Sequence, residues 1–252
     1  MTDSEYPGNG RLLSTANGGT ALSTTRAFIP IPPGIGSVTI IPRNFATAVV
    51  VKLALNPFLS VMKSSDSMST APVDYSEAAQ DGDVATVVTL SSLPTLANGG
   101  AVYVGAGDRF GGLMATMATT NSNGGTMAVT YWNGTAWTDI TPTDGTSNMN
   151  ATGLITWTVP TAWVPESLSS ILSRSFAGLG RTQFWVRIAT SAAYDASVTL
   201  SSLYAYNRYA DAGIELIANE ALKVGVDRAQ NGGVIQALTN AGTANLIVNG
   251  FY

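Results

Sequence analysis

Met127-Ala128-Val129-Thr130-Tyr131-Trp132-Asn133-Gly134-Thr135-Ala136-Trp137-Thr138-Asp139-Ile140 decides the fold. Two short runs rich in β-branched and aromatic residues flank Asn133-Gly134. Both members of that dipeptide tolerate positive φ, which makes it the strongest short-range signal of a β-hairpin. The same pattern extends outward over residues 101–207. Val102-Tyr103-Val104 runs into Gly105, Gly107 and Gly111-Gly112, and residues 113–118 follow, ending near Asn123-Gly124-Gly125. Downstream lie Ile155-Thr156-Trp157-Thr158-Val159, stopped by Pro160, then Phe184-Trp185-Val186-Arg187-Ile188 and residues 198–205. Short strands separated by turn residues predict an all-β fold, with a β-sandwich or jelly-roll-like central domain. Pro165, with Glu166 in the first turn, predicts one short helix over 165–172.

Upstream, residues 38–55 predict two strands broken at Pro42-Arg43-Asn44. Val49, Val51, Leu53 and Leu55 share one face at period two, and Val50 and Lys52 share the other. Asn56-Pro57 stops the second strand. Residues 60–82 read as a polar connection and 84–93 as β-like. Residues 1–36 are rich in Gly, Ser, Thr, Asn and Pro and contain Phe28-Ile29-Pro30-Ile31-Pro32-Pro33-Gly34. This predicts an extended N-terminal arm. The expected division is therefore arm 1–36, sandwich 37–212 and a small C-terminal β extension, 213–252. Phe28, Ile29 and Ile31 of the arm, and Ile214, Leu216, Phe251 and Tyr252 of the extension, are candidate inter-subunit contacts.

Composition narrows the function. The chain has 252 residues, of which 45% are hydrophobic and only 11% charged, where roughly 25% charged is usual. Such a surface is largely neutral and loses little desolvation energy on meeting another protein. A net charge of −4, with 12 scattered basic residues, argues against nucleic-acid binding. The absence of Cys and His excludes thiol chemistry and removes the commonest general base and transition-metal ligand. No cofactor is expected. The most apolar stretch, residues 46–55, is far short of the ~20 residues of a spanning helix. The start of the chain lacks a basic, then apolar, leader. Synthesis in a cytoplasm and no membrane partner are expected.

Candidate chemistry is sparse. Asp81-Gly82-Asp83 and Asp144-Gly145-Thr146 are weak calcium candidates through Asp81, Asp83 and Asp144, since calcium takes six to eight oxygens and no complete loop motif is present. Turn aspartates that bond their own backbone are the simpler reading of these residues and of Asp139 and Asp195. Gly105-Ala106-Gly107 with Gly111-Gly112 lacks the Lys-Ser/Thr ending of a phosphate loop and reads as a tight β turn. Asn133-Gly134-Thr135 matches a glycosylation sequon but reads as the hairpin turn. All five tryptophans, Trp132, Trp137, Trp157, Trp163 and Trp185, lie within 54 residues. They read as aromatics closing the ends of a core, with a sugar-stacking platform as the alternative. Trp185 and Arg187 share a face on a regular strand, which predicts a stacked Trp–Arg pair.

Tyr103-Val104-Gly105, Tyr131-Trp132-Asn133-Gly134-Thr135-Ala136-Trp137, Asp144-Gly145-Thr146, Thr156-Trp157-Thr158-Val159-Pro160-Thr161-Ala162-Trp163 and Phe184-Trp185-Val186-Arg187-Ile188 together resemble virion structural proteins of tailed bacteriophages. The resemblance covers about residues 93–207 and rests on turns and aromatics. It implies a β-sandwich of the kind carried by head decoration (cement) proteins and by some tail or baseplate components. The resemblance itself implies a role in the virion; a non-catalytic protein placed on the head surface is the expectation. The implied partners are the major capsid protein and copies of the chain itself, for which a trimer at a lattice threefold would be suitable. A tail, baseplate or head-to-tail subunit, and a carbohydrate-binding or adhesion module, are the alternatives.

Overall fold

The computed structural model describes residues 10–14, 19–44, 49–207, 214–228 and 231–252. In chain order the strands are β1 Gly10–Leu12, β2 Thr20–Leu22, β3 Ala27–Pro30, β4 Ser37–Arg43 and β5 Val51–Asn56. They continue with β6 Leu59–Ser64, β7 Val73–Asp74, β8 Val88–Thr89, β9 Ala101–Ala106, β10 Gly112–Thr119, β11 Met127–Trp132, β12 Trp137–Ile140, β13 Thr143–Asp144 and β14 Gly153–Thr156. Then come β15 Glu166–Ser167, helix α1 Leu168–Leu172, β16 Thr182–Thr190 and β17 Thr199–Tyr206, and last β18 Ile214–Leu216, β19 Leu222–Gly225, β20 Val234–Thr239 and β21 Ala244–Phe251. The fold is all-β and sandwich-like, and among the described residues every strand pair is antiparallel.

The chain divides into two compact units. Pro57–Asn207 forms one, and Met1–Asn56 with Arg208–Tyr252 forms the other. This differs from the expected division at 36/37 (the expected boundary at 212/213 lies outside the described residues). The reason is strand pairing. β21 lies between β4 on one side and β1 and β2 on the other, and β20 lies between β3 and β5. The N-terminal segment is thus not a free arm, and the C-terminal segment is not an appendage. Each supplies strands that the other needs.

In this terminal unit a five-stranded sheet (β1, β2, β21, β4, β19) and a four-stranded sheet (β18, β5, β20, β3) share one core. Alternate residues of β4 and β21, Val38, Ile40, Leu246 and Val248, bury against Ile29, Val51, Leu53 and Ile235. Pro42 does not break β4. It pairs with Leu246, past the end of β19, and its carbonyl accepts from the Asn219 N–H at 2.9 Å. A residue's N–H and C=O point to the same side of a strand, so the missing proline donor faces a side where the ladder has ended. Pro30 is tolerated for a related reason, since β3 is an edge strand.

The central unit packs a seven-stranded sheet (β12, β11, β16, β9, β6, β7, with β15 on β16) and a five-stranded sheet (β13, β14, β10, β17, β8) around a second core. Val104, Val129, Val186 and Ile188 meet Leu113, Ile155, Leu203 and Ala205 there. Phe110, Trp157 and Trp163 form a ring cluster, with centroids 5.6 and 5.2 Å from Phe110 to the two indoles. The Trp157 and Trp163 N–H groups donate to the carbonyls of Phe110 and Trp185. The expected strand over 84–93 is reduced to Val88–Thr89.

Local rules operate with small corrections. Asn133-Gly134 closes a hairpin whose last pair is Trp132 with Trp137, so the loop has four residues. Only Gly134 takes positive φ, at 97°. Asn133 instead uses its side-chain oxygen, which accepts from the Thr135 and Ala136 N–H groups. The helix begins later than expected, at Leu168 instead of Pro165, because Ser167 caps it, accepting from the Ser170 N–H at 3.2 Å. Gly105 lies within β9, not in a turn. A Cβ there would stand 2.6 Å from the Trp185 ring, so only glycine leaves room for that indole against the strand.

Two outcomes test this architecture. Gly105→Ala lowers chemical-denaturation stability by about 1–3 kcal/mol through overpacking and shifts tryptophan emission, whereas unchanged stability would mean that Trp185 is seated elsewhere. Truncation before Ile214 removes the middle strands of both terminal sheets. Hydrogen exchange then shows protection lost across β3, β4 and β5 but retained across β9, β11 and β16.

Candidate functional site

The seven-stranded sheet has an outward face whose content follows from register. In β9, β11 and β16 the residues Val104, Val129 and Val186 point into the core, so Tyr103, Thr130 and Arg187 point out. Tyr103 pairs with Arg187, Arg187 with Thr130, and Thr130 with Asp139, giving one straight row across four strands. Two residues along each strand lie Gly105, Trp185, Trp132 and Trp137, on the same face. Over part of it, Met62, Met68, Ala101, Tyr103, Leu168, Leu179 and Trp185 form a third buried cluster, with Trp137, Ile171, Leu172 and Phe176 at its margin.

The five tryptophans fall into two groups. Trp157, Trp163 and Trp185 are buried, whereas Trp132 and Trp137 are partly exposed. Trp132 and Trp137 meet edge to face, 5.7 Å between centroids, and Tyr103 approaches Trp137 in the same manner at 5.7 Å. The Arg187 guanidinium lies 5.0 Å from the Trp137 centroid. The expected Trp185–Arg187 stack is therefore corrected. The two residues share a face, but Trp185 lies under the Leu168–Leu179 segment, donating to the Glu166 carbonyl at 2.9 Å. The cross-strand indole of Trp137 takes its place over the cation.

Arg187 is half-buried, and its Nε donates to Thr130 Oγ1 at 3.2 Å. Burial pushes its pKa down, opposed by Tyr103 and by the charge of Asp139. Burial pushes the Tyr103 phenol up, opposed by Arg187. Among the described residues no carboxylate forms an ion pair with Arg187. Four residues back along β16 on the same face, beside Gly105, the buried Gln183 Oε1 has no hydrogen-bond partner among the described residues. This face thus combines a cation, an exposed carboxylate, hydroxyls and two part-exposed indoles.

The other acidic candidates are structural. Asp81 accepts from the Asp83 N–H and the Thr86 hydroxyl, and Asp83 from the Ala85 N–H. Asp144 accepts from the N–H and hydroxyl of Thr146 and from the Asn148 N–H. It holds a run of three left-handed residues, Ser147, Asn148 and Met149, each costing roughly 1–2 kcal/mol in that conformation. Asp66, within the stretch 60–82 expected to be a polar connection, plays the same part for Ser69 and Thr70. No group of three or more acidic residues that could hold a metal ion occurs among the described residues. No helix among them is long and apolar enough to cross a membrane.

The interface candidates separate as well. Ile29, Ile31 and Leu216 are buried in the terminal unit's own core, which corrects their reading as contacts held out for a neighbour. Period two drives them inward once β3 and β18 pair with β20 and β5. Phe28 and Phe251 are half-buried. Ile214 and Tyr252 stand 46% and 63% exposed, and Ile217, which was not singled out, 64%. In the central unit Val84 is 80% exposed.

Comparison of the chain with protein-family models, with curated proteins and with solved structures found no match. The Trp132–Trp137 pair was legible from the hairpin signal. The joining of Tyr103 to Arg187 was not, because 84 positions separate them and only the β9–β16 register brings them together.

Asp195 supplies a pH test. The N–H and hydroxyl groups of Ser122 and Ser197 donate to its carboxylate and hold its pKa down at about 2, against an ordinary 3.8. A depressed carboxylate pKa stabilises the fold fully above the ordinary value, and that contribution is lost as the pH falls through the folded value. Asp195→Ala therefore lowers the thermal midpoint at neutral pH, and the difference from wild type closes between about pH 4 and pH 2. A difference of equal size at both ends would show that the carboxylate charge is not what ties Ser122 to Ser197.

Proposed function

We propose that this chain is a non-catalytic structural subunit of a virion, acting through area rather than chemistry, and that its place is the head surface as a decoration or cement protein. The observation that carries the reading is a charge-poor surface that leaves large apolar side chains in water. Only 11% of residues are charged, and Ile214, Ile217, Tyr252 and Val84 are exposed. A stable protein interface buries ~1,600 Å², and a surface with few charges gives up little hydration to reach that area. Repeated over a lattice, moderate contacts to the major capsid protein and to neighbouring copies add by avidity. The candidate carboxylates are engaged within their own loops, which suits a scaffold better than an acid–base site. The resemblance of the central unit's turns and aromatics to tailed-phage virion proteins supports the same reading. The protein is then made in the host cytoplasm and incorporated during assembly.

A tail, baseplate or head-to-tail subunit would use the same physics with fewer copies. Mass-spectrometric stoichiometry of the intact particle separates the two: hundreds of copies for a shell protein, a handful for a tail component. Particles assembled without the chain lose heat resistance under the decoration reading. Particles equally robust without it would remove that reading.

A further inference from the structure

We infer that the outward row of the seven-stranded sheet is a binding site for a neutral glycan, with Trp132 and Trp137 as the stacking surface and Arg187 and Asp139 as the polar contacts. The inference goes beyond the structural role proposed above and does not depend on it.

The first argument is position. Three of the five tryptophans are buried in clusters, and the two at the hairpin are not. Both face outward, Trp137 on the edge strand β12 and Trp132 beside it on β11. Trp132 has no aromatic neighbour but Trp137 among the described residues. Aromatic faces in this setting offer the C–H side of a pyranose ring a flat apolar surface, while the indole N–H and the surrounding polar groups meet its hydroxyls.

The second argument is the polar pattern. A sugar hydroxyl both donates and accepts, so a saccharide needs donors and acceptors side by side. Arg187 donates only, Asp139 accepts only, and they lie in the same row with Thr130 between them. Two strand spacings separate them, about 9.6 Å at ~4.8 Å each, a span comparable with two linked pyranose rings. Arg187 is supported electrostatically by Tyr103 and by the charge of Asp139. It is half-buried, stacked on Trp137 and without an ion-paired carboxylate among the described residues. Hydroxyl oxygens of a ligand would complete its hydrogen bonding.

The third argument selects neutral over acidic sugars. Asp139 is exposed at the end of the row, and the whole chain carries −4. An anionic polysaccharide would meet repulsion from both. A Trp–Trp pair also serves as a hairpin clasp. The clasp alone explains neither the arginine under Trp137 nor the carboxylate beside it.

The test titrates the full chain with neutral oligosaccharides of glucose, galactose, mannose and N-acetylhexosamine, and with an oligouronate of the same length. Tryptophan fluorescence and calorimetry are the readouts. Saturable fluorescence change with at least one neutral series is expected, and Trp132→Ala weakens it about tenfold or more through loss of the stacking face. Asp139→Asn, a surface change that leaves the hairpin pair intact, weakens it by about tenfold through loss of a charged acceptor. Thermal midpoints of both variants report folding. Silence across the neutral series, binding confined to the oligouronate, or full affinity in Asp139→Asn would each overturn the assignment.

Discussion

Alternation along a half-buried strand is the constraint on which the rest of this structure depends. Each sheet buries one face in a shared core, so a residue's parity decides whether it meets the opposite sheet or the outside. In β16, Val186 and Ile188 go inward and Trp185 and Arg187 outward. In β11, Val129 and Tyr131 go inward and Thr130 and Trp132 outward. A slip of one residue in either strand would bury the guanidinium and expose the valines. The outward row is thus held in place by the energetics of the core on the other side of the sheet.

The outward face then divides by cover. Where α1 and the Leu179 region lie over the sheet, Trp185 joins Met62, Met68 and Leu168 in a dry cluster. Gly105 makes that possible by removing the one side chain that would collide with the ring. Towards β12 the cover ends, and the same face presents indoles and a cation. Continuous sheet geometry therefore supports two different environments a few residues apart: a closed layer that adds stability and a more open, partly exposed one. The acidic turns do a separate job. Asp144 and Asp195 accept several short hydrogen bonds each and hold loop backbone, including three consecutive left-handed residues, in conformations it would otherwise leave.

Much of the local structure was legible. The strands β11, β12 and β17, the edges of the hairpin, and the turn roles of Asp81, Asp83 and Asp144 follow from periodicity and turn chemistry, which act over a few residues. Pro42 and the proline-rich segment around Pro30 misled for an instructive reason. Proline reads as a strand breaker, yet its cost depends on whether a neighbouring strand needs its N–H. At Pro42 the ladder has ended, and β3 is an edge. Neither condition is visible in the residues themselves. Ile29, Ile31 and Leu216 looked like side chains seeking a partner and had one already, in strands some 200 positions away for the first two.

By itself the sequence determined the all-β class, the hairpin at Asn133-Gly134, the poverty of charge and the lack of thiol and imidazole chemistry. Those properties are local or compositional, so no partner strand is needed to read them. Only the tertiary structure decided that the two ends of the chain interleave in one unit, that Arg187 lies over Trp137 instead of Trp185, and that two tryptophans of five stay in contact with solvent. These depend on which distant strands pair and in what register, and that choice is set by the burial of whole sheet faces at once, a collective free energy that no single segment carries.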